Sequence, residues 1–416
     1  MKLTKKIFQL NLSNVINLFS LFFLQYLISL YLTKESFSEY SAIVGLCFIL
    51  LPIINFGISP YIIKRYFKKN NYADETYKDV FNFLNFTSIL ILFIFFLISK
   101  YLLNIESYIV IIIFGTHLIS NVFFEILYSK FQYKYNYFKI LFLTISFNLS
   151  KLLLIVIFIY LYGSINLYQI SYIFLVSSVI IISLYYFNFR EIINKIKIFK
   201  ISTLISSLKI LKYTYPFGIN GVVFYVYYFT DLIIIYKFGS NASYAGNFSL
   251  SLSFIFLLYI VPTITIDKLY INEFYILFNE KNFLKLKKIT NKIKYLFIVY
   301  AFIVIFFIIF FIKDIVFFLY QTKYLYLVDF VTIMSFSVFF RYLTIVYSGV
   351  IHTGSYLLNC SYIWLMITII KIITNIYIVS NFDIIYVAYS FFFFEILVFF
   401  IFYFFNNLTI NNEKYK

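Results

Sequence analysis

Charge, glycine, proline and cysteine are all scarce in this chain of 416 residues. Charged residues make up only 12% of it, against about a quarter in an ordinary soluble domain. That shortage excludes a water-soluble protein with the usual solvated surface. Among the 10 glycines there is neither a P-loop nor a dinucleotide-binding pattern. Energy for any work must therefore come from an ion gradient, the substrate's own gradient or a partner. Only two histidines, His117 and His352, and two cysteines, Cys47 and Cys360, are present. They have no zinc-ligand spacing and form no plausible disulfide. No cofactor is expected.

What the chain has is hydrocarbon. Hydrophobic residues account for 63% and aromatic ones for 25%, and the mean hydropathy is +0.92. Apolar runs long enough to cross about 30 Å of bilayer recur from end to end. The fold class expected is an all-α integral membrane protein of about twelve transmembrane helices, arranged as two six-helix lobes. The first-half spans fall at 15–33, 40–63, 81–99, 107–128, 141–161 and 169–188. The second-half spans fall at 213–236, 245–262, 294–312, 327–349, 361–380 and 385–405. Residues 1–200 form the N-terminal lobe, 201–212 a basic linker, 213–405 the C-terminal lobe and 406–416 a tail. The basic N-terminus before the first run reads as an uncleaved first helix rather than a signal peptide.

The net charge of +17 does not point to nucleic acid, because the basic residues alternate from loop to loop and form no aromatic-interleaved patch. Of the 34 lysines and arginines, 26 lie in the termini and loops of one side, five on the other and three within spans. The positive-inside rule then places both termini in the cytoplasm. The basic segment 263–294 reads as an amphipathic helix on the inner membrane face.

The halves repeat each other weakly. Phe37-Ser-Glu-Tyr-Ser41 leads into span two much as Ala245-Gly-Asn-Phe-Ser249 leads into span eight, and Pro52 and Pro262 hold similar places near the ends of those spans. An even number of spans per half makes this a parallel repeat, an arrangement known in transporters.

Away from the span ends, six charges fall inside spans: Glu125, Lys151, Asp231, Arg341, Lys371 and Glu395. Such residues are rare in lipid and mark functional pathways by default. Helical spacing puts several on polar faces. His117, Asn121 and Glu125 share one; Asn148 precedes Lys151 by a turn; Asn220, Tyr227 and Asp231 share another. Ser337, Arg341, Thr344 and Ser348 form a stripe, as do Thr368, Lys371 and Asn375, and span one adds Asn14, Asn17 and Gln25. A shared hydrated cavity explains these stripes. So does the plainer reading that acids and bases pair to hold the bundle: Glu125 with Lys151, and Asp231 or Glu395 with Arg341 or Lys371. As a cavity, its bases suit an anionic cargo, above all a diphosphate.

Two stretches resemble the bacterial polysaccharide repeat-unit flippases of O-antigen and capsule export, relatives of the multidrug and toxin extruders. One is Leu51-Pro-Ile-Ile-Asn-Phe-Gly-Ile-Ser-Pro60 with Lys64-Arg65; the other is Tyr215-Pro-Phe through Asp231 to Tyr244-Ala-Gly-Asn-Phe-Ser249. Where that family often has Gly-Tyr-Tyr, this chain has Gly246-Asn-Phe. The resemblance implies a transporter, not an enzyme. It would move an undecaprenyl-diphosphate-linked oligosaccharide between leaflets of the bacterial inner membrane by alternating access, coupled to H⁺ or Na⁺. Lys151, Arg341 and Lys371 would supply the cationic lumen, and Asp231, Glu125 or Glu395 the coupling or balancing acids. A glycan polymerase complex is a further expected partner. The rivals are a multidrug or cation antiporter of the same superfamily, and a membrane glycan polymerase, which needs a large outer loop where the longest here is about fourteen residues.

Overall fold

The computed structural model describes residues 2–62, 73–134, 136–193, 201–324, 326–354 and 356–412. Lys64-Arg65 and residues 194–200 lie outside them, as does the side chain of Asn14. The described chain is 90% helix with no strands, as the run of apolar spans requires. Backbone groups in hydrocarbon have no water to bond, so each span must satisfy its own.

In the first half the helices are α1 (Lys2–Tyr31), α2 (Lys34–Asn55), α3 (Ala73–Leu97), α4 (Tyr108–Tyr133), α5 (Tyr137–Thr144), α6 (Ser150–Tyr162) and α7 (Leu167–Ile193). A π-helical turn, Ile145–Leu149, joins α5 to α6 within one span. There follow α8 (Ile201–Phe238), α9 (Tyr244–Ile264), α10 (Ile271–Asn279), α11 (Phe283–Tyr320), α12 (Tyr326–Ser335), α13 (Ser337–Ile351), α14 (Leu357–Asn381) and α15 (Tyr386–Asn412).

Among the described residues ten helices are long and apolar enough to cross a membrane, and eleven spans result when α12 and α13 count as one. Within α1, Phe19–Tyr31 is a shorter apolar helix at the place of the first expected span. Helix starts follow local chemistry. Thr33, Ser107 and Asn136 cap α2, α4 and α5 by accepting from Ser36, Val110 and Lys139 backbone N–H groups at 3.2, 3.3 and 3.2 Å. Asn166 and Gln169 bond each other's backbone N–H reciprocally at 2.9 Å ahead of α7.

The span expected at 327–349 is not straight: α12 and α13 meet at Phe336 with a bend of 46°. The Ser335 hydroxyl donates to the Thr332 carbonyl at 2.7 Å and the Ser337 hydroxyl to the Met334 carbonyl at 2.6 Å. Hydroxyls that bond back onto the preceding turn compete with the helical ladder and bend it. The segment 263–294 also differs from a single surface helix. It is a π turn (Thr265–Tyr270), short α10 and the first turns of α11, with Phe274, Leu277 and Leu286 buried. These three pack on protein, whereas Leu269, Ile276 and Leu284 are exposed.

Packing groups the chain into two compact units, Met1–Ile233 and Ile234–Lys416. Residues 201–212, expected as a linker, are the first turns of α8. Most of α8 packs in the first unit, where Phe48 of α2 stacks on Phe229 at 4.6 Å and Gly57 meets Gly218. Pro52 lies four residues before left-handed Phe56 (φ 30°), where α2 ends, and Pro262 lies three before the π turn that ends α9. The two prolines precede helix breaks at corresponding points of the repeat.

Candidate functional site

Each unit carries its own buried polar cluster. In the first unit the π turn aims Asn148 inward. Five residues per π turn displace the side chains that follow from a continuous α-helical stripe, a device frequent at functional sites. The Asn148 amide donates to Asn17 Oδ1 on α1, and Asn148 Oδ1 accepts from Lys151 Nζ at 3.1 Å. Lys151 is 2% exposed. Its ammonium lies 3.7 Å from the centre of the Phe147 ring and 5.3 Å from that of Phe174, so ring faces take the place of a carboxylate. His117 stacks on Phe147 at 5.5 Å and meets the edge of Phe174 at 4.6 Å.

Glu125, two turns along α4 from His117, does not pair with Lys151. Its carboxylate accepts from the Asn55 amide at the end of α2, and Asn55 also donates to Ser59 at 3.1 Å. Asn121 turns back to the His117 carbonyl at 2.9 Å. The face expected on span four is therefore divided: His117 looks toward α7, through Ser178 at 3.2 Å, and Glu125 toward α2. Asp231 and Tyr227 of α8 are each 1% exposed, whereas Asn220 and Gln25 are half-buried.

In the second unit the buried face of α14 runs Leu357, Cys360, Ser361, Trp364, Thr368, Lys371, Asn375 and Val379. That is the helical repeat expected from the sequence. Arg341 of α13 has its guanidinium carbon 5.9 Å from the ring centres of both Trp364 and Tyr259. Tyr259 bonds Ser337 at 3.2 Å and lies within electrostatic reach of Glu395 and Arg341. Two turns along α14 from Trp364, Lys371 lies 5.2 Å from the centre of the Phe391 ring. One turn further, Asn375 accepts from Ser390 of α15 at 2.5 Å. Lys371, Asn375 and Glu395 are no more than 1% exposed. The cluster thus joins α9, α13, α14 and α15, with two bases and one acid among aromatic faces. Trp364, Tyr259 and Phe391 have no polar periodicity to announce them; only the fold brings them to the bases.

The Lys151–Asn148–Asn17 chain should contribute measurably to stability. Asn148→Leu strands a buried ammonium and an amide, and a loss of about 2–4 kcal/mol is expected. Thermal unfolding in lipid nanodiscs measures it; a melting temperature equal to wild type would contradict this account of the chain. Among the described residues no group of three or more His, Cys, Asp or Glu side chains is placed to hold a metal ion.

No protein-family model matches the chain, and no characterised protein matches it by sequence. Solved structures do match. An inward-facing multidrug-resistance transporter of the MATE family, MOP superfamily, is 12% identical, with 97% of this chain and 99% of that one covered and a TM-score of 0.71. The lipid II flippase MurJ in an inward closed conformation is 16% identical, with coverage of 96% and 87% and a TM-score of 0.72. A MOP superfamily transporter from Pyrococcus furiosus, described as having a binding pocket of reverse polarity, is 14% identical, with coverage of 99% and 96% and a TM-score of 0.56. The chain is a multi-pass membrane protein with the fold of these transporters, whose helices number twelve in two lobes.

Proposed function

We propose that the protein is a flippase for a polyprenyl-diphosphate-linked oligosaccharide. In a bacterial inner membrane it would carry the repeat unit of a surface polysaccharide from the cytoplasmic to the periplasmic leaflet by ion-coupled alternating access. The observation that carries this reading is the pair of buried bases in the second unit, Arg341 and Lys371, aligned along α14 by way of Trp364. A guanidinium and an ammonium in a water-poor interior bind diphosphate oxygens through charge-assisted hydrogen bonds. Trp364 and Tyr259 offer the flat apolar faces on which sugar rings pack. Lys151 is the third base of the cationic interior. The acids Asp231, Glu125 and Glu395 balance it or take the coupling ion. Likeness to a lipid II flippase supports a lipid-linked cargo.

The second reading, a multidrug or cation antiporter, is favoured by the equally similar MATE structure. A cation carrier calls for an acid-dominated interior, whereas the interiors of these spans, away from their ends, hold three acids and three bases. Deleting the gene separates the readings. Loss of surface glycan with unchanged drug susceptibility is expected; unaltered glycan with accumulation of cationic dyes would establish the rival instead.

A further inference from the structure

His117 has no part in the reading above, yet it is 6% exposed and lies beside Lys151, close enough for their charges to interact. We propose that Lys151 and His117 form a one-proton site in the first unit: two bases that share a single H⁺, with no carboxylate in the pair.

The hydrogen-bond network sets the tautomer. The Ser178 hydroxyl gives its one hydrogen to the Phe174 carbonyl at 2.7 Å. Ser120 directs its hydroxyl to the His117 carbonyl at 2.8 Å, or to Ser178 Oγ at 3.1 Å. With its hydrogen so engaged, Ser178 Oγ is an acceptor where it meets His117 Nδ1 at 3.2 Å, which assigns the hydrogen to Nδ1. Neutral imidazole has only one N–H, so Nε2 is left with its lone pair. Among the described residues Nε2 makes no hydrogen bond.

Lys151 lies against the same two rings as His117, Phe147 and Phe174. Among the described residues its ammonium has one hydrogen-bond acceptor, Asn148 Oδ1, and two ring faces. No other charge lies against the pair in the described structure. Glu125, eight residues and about 12 Å along α4, is engaged by Asn55. From α2, Cys47 contacts the Phe114 carbonyl at 3.8 Å, and Tyr40 packs edge-on against Phe114 and Phe174. Ser178 on α7, Ser120 and Asn121 on α4, and Asn17 on α1 through Asn148 are polar neighbours of the pair.

Two adjacent cations sealed from water repel, and each pays a desolvation cost, so only one of the bases is charged at a time. The site gains one H⁺ on the Nζ or the Nε2 lone pair and returns to two neutral bases when that proton leaves. The proton also organises the helices. A charged Lys151 holds Asn148, and through it Asn17, tying α1 to the π turn; a neutral amine holds them more weakly. The proposal rests on the ion-coupled reading for its consequence alone, that a coupling proton is taken up at this pair in the first unit while the acids balance the interior charge.

The test uses the full-length protein in lipid nanodiscs with ¹⁵N in the histidine rings. Only two histidines are present, and His352→Gln assigns them. In the otherwise native protein His117 is expected as the neutral Nδ1–H tautomer at neutral pH. In Lys151→Met its protonation midpoint should rise by at least about one pH unit, a tenfold gain in proton affinity. An unchanged midpoint overturns the proposal. Should Lys151→Met fail to fold, the native protein still decides: an Nε2–H tautomer, or an imidazolium at neutral pH, overturns it. Linkage present in a protein that moves no lipid-linked sugar keeps the proton site and removes the flippase reading. Translocation without linkage does the reverse.

Discussion

Arg341→Ala and Lys371→Ala are each expected to lower translocation of a diphosphate-linked lipid about 10- to 100-fold while the protein remains in the membrane. Hydrogen bonds to charged groups contribute about 1.5–3 kcal/mol each, which sets that range. The two variants should fail differently from their conservative counterparts. Arg341→Lys keeps the charge but loses the planar fork that matches two phosphate oxygens, so partial activity is expected. Lys371→Arg adds volume at a site that is 1% exposed, and overpacking makes it the worse tolerated exchange. Quantifying surface glycan beside membrane-embedded protein separates lost transport from lost protein. Full glycan in both alanine variants would remove these bases from the cargo site.

Gly57→Ala is the substitution expected to damage the fold most. Gly57 has φ +75°, and a Cβ there would lie 2.6 Å from both the Gly218 nitrogen and the Thr214 carbonyl oxygen. Both obstacles are backbone, so no rotamer change relieves them. Gly218 faces the same constraint from the other side, where an added Cβ would meet the Phe56 ring at 2.7 Å. Left-handed geometry costs a non-glycine residue about 1 kcal/mol and overpacking about 1–3 more. A destabilisation of about 2–4 kcal/mol is expected, read as a lower melting temperature in nanodiscs. Gly163→Ala is the control: its φ is +68°, but nothing lies within 4 Å of the added Cβ. Only the strain of the left-handed backbone should be felt there. Equal losses at the two positions would show that close approach of α2 and α8 is not what Gly57 serves.

The spans and the inward face of α14 were legible because each is a local periodic pattern. Thr368, Lys371 and Asn375 recur at helical spacing, and the structure buries all three. The Glu125 partner was not legible, for Asn55 is 70 residues away and lies at the end of a helix whose stopping point depends on Phe56 and Gly57. Simple acid–base matching pointed instead to Lys151, which the structure surrounds with Phe147, Phe174 and Asn148. Aromatic residues are so abundant here that a ring beside a charge has no signature in sequence. The π turn and the bend at Phe336 escaped for a related reason. Both are choices between nearly equal backbone hydrogen-bond patterns, decided by Ser337 and by packing rather than by hydropathy. His117 was visible as one member of a polar face, but its tautomer depends on Ser178, 61 residues on.

The flippase reading comes down to a leaflet-to-leaflet count. Purified protein is reconstituted in liposomes that contain a fluorescent polyprenyl-diphosphate oligosaccharide in both leaflets. A membrane-impermeant quencher then reports how much becomes accessible from outside. The account predicts quenching that proceeds past the outer-leaflet fraction with active protein and an imposed ion gradient, and stops at that fraction with Arg341→Ala. Quenching that stops there with the native protein as well, in liposomes that extrude a cationic dye, would contradict it.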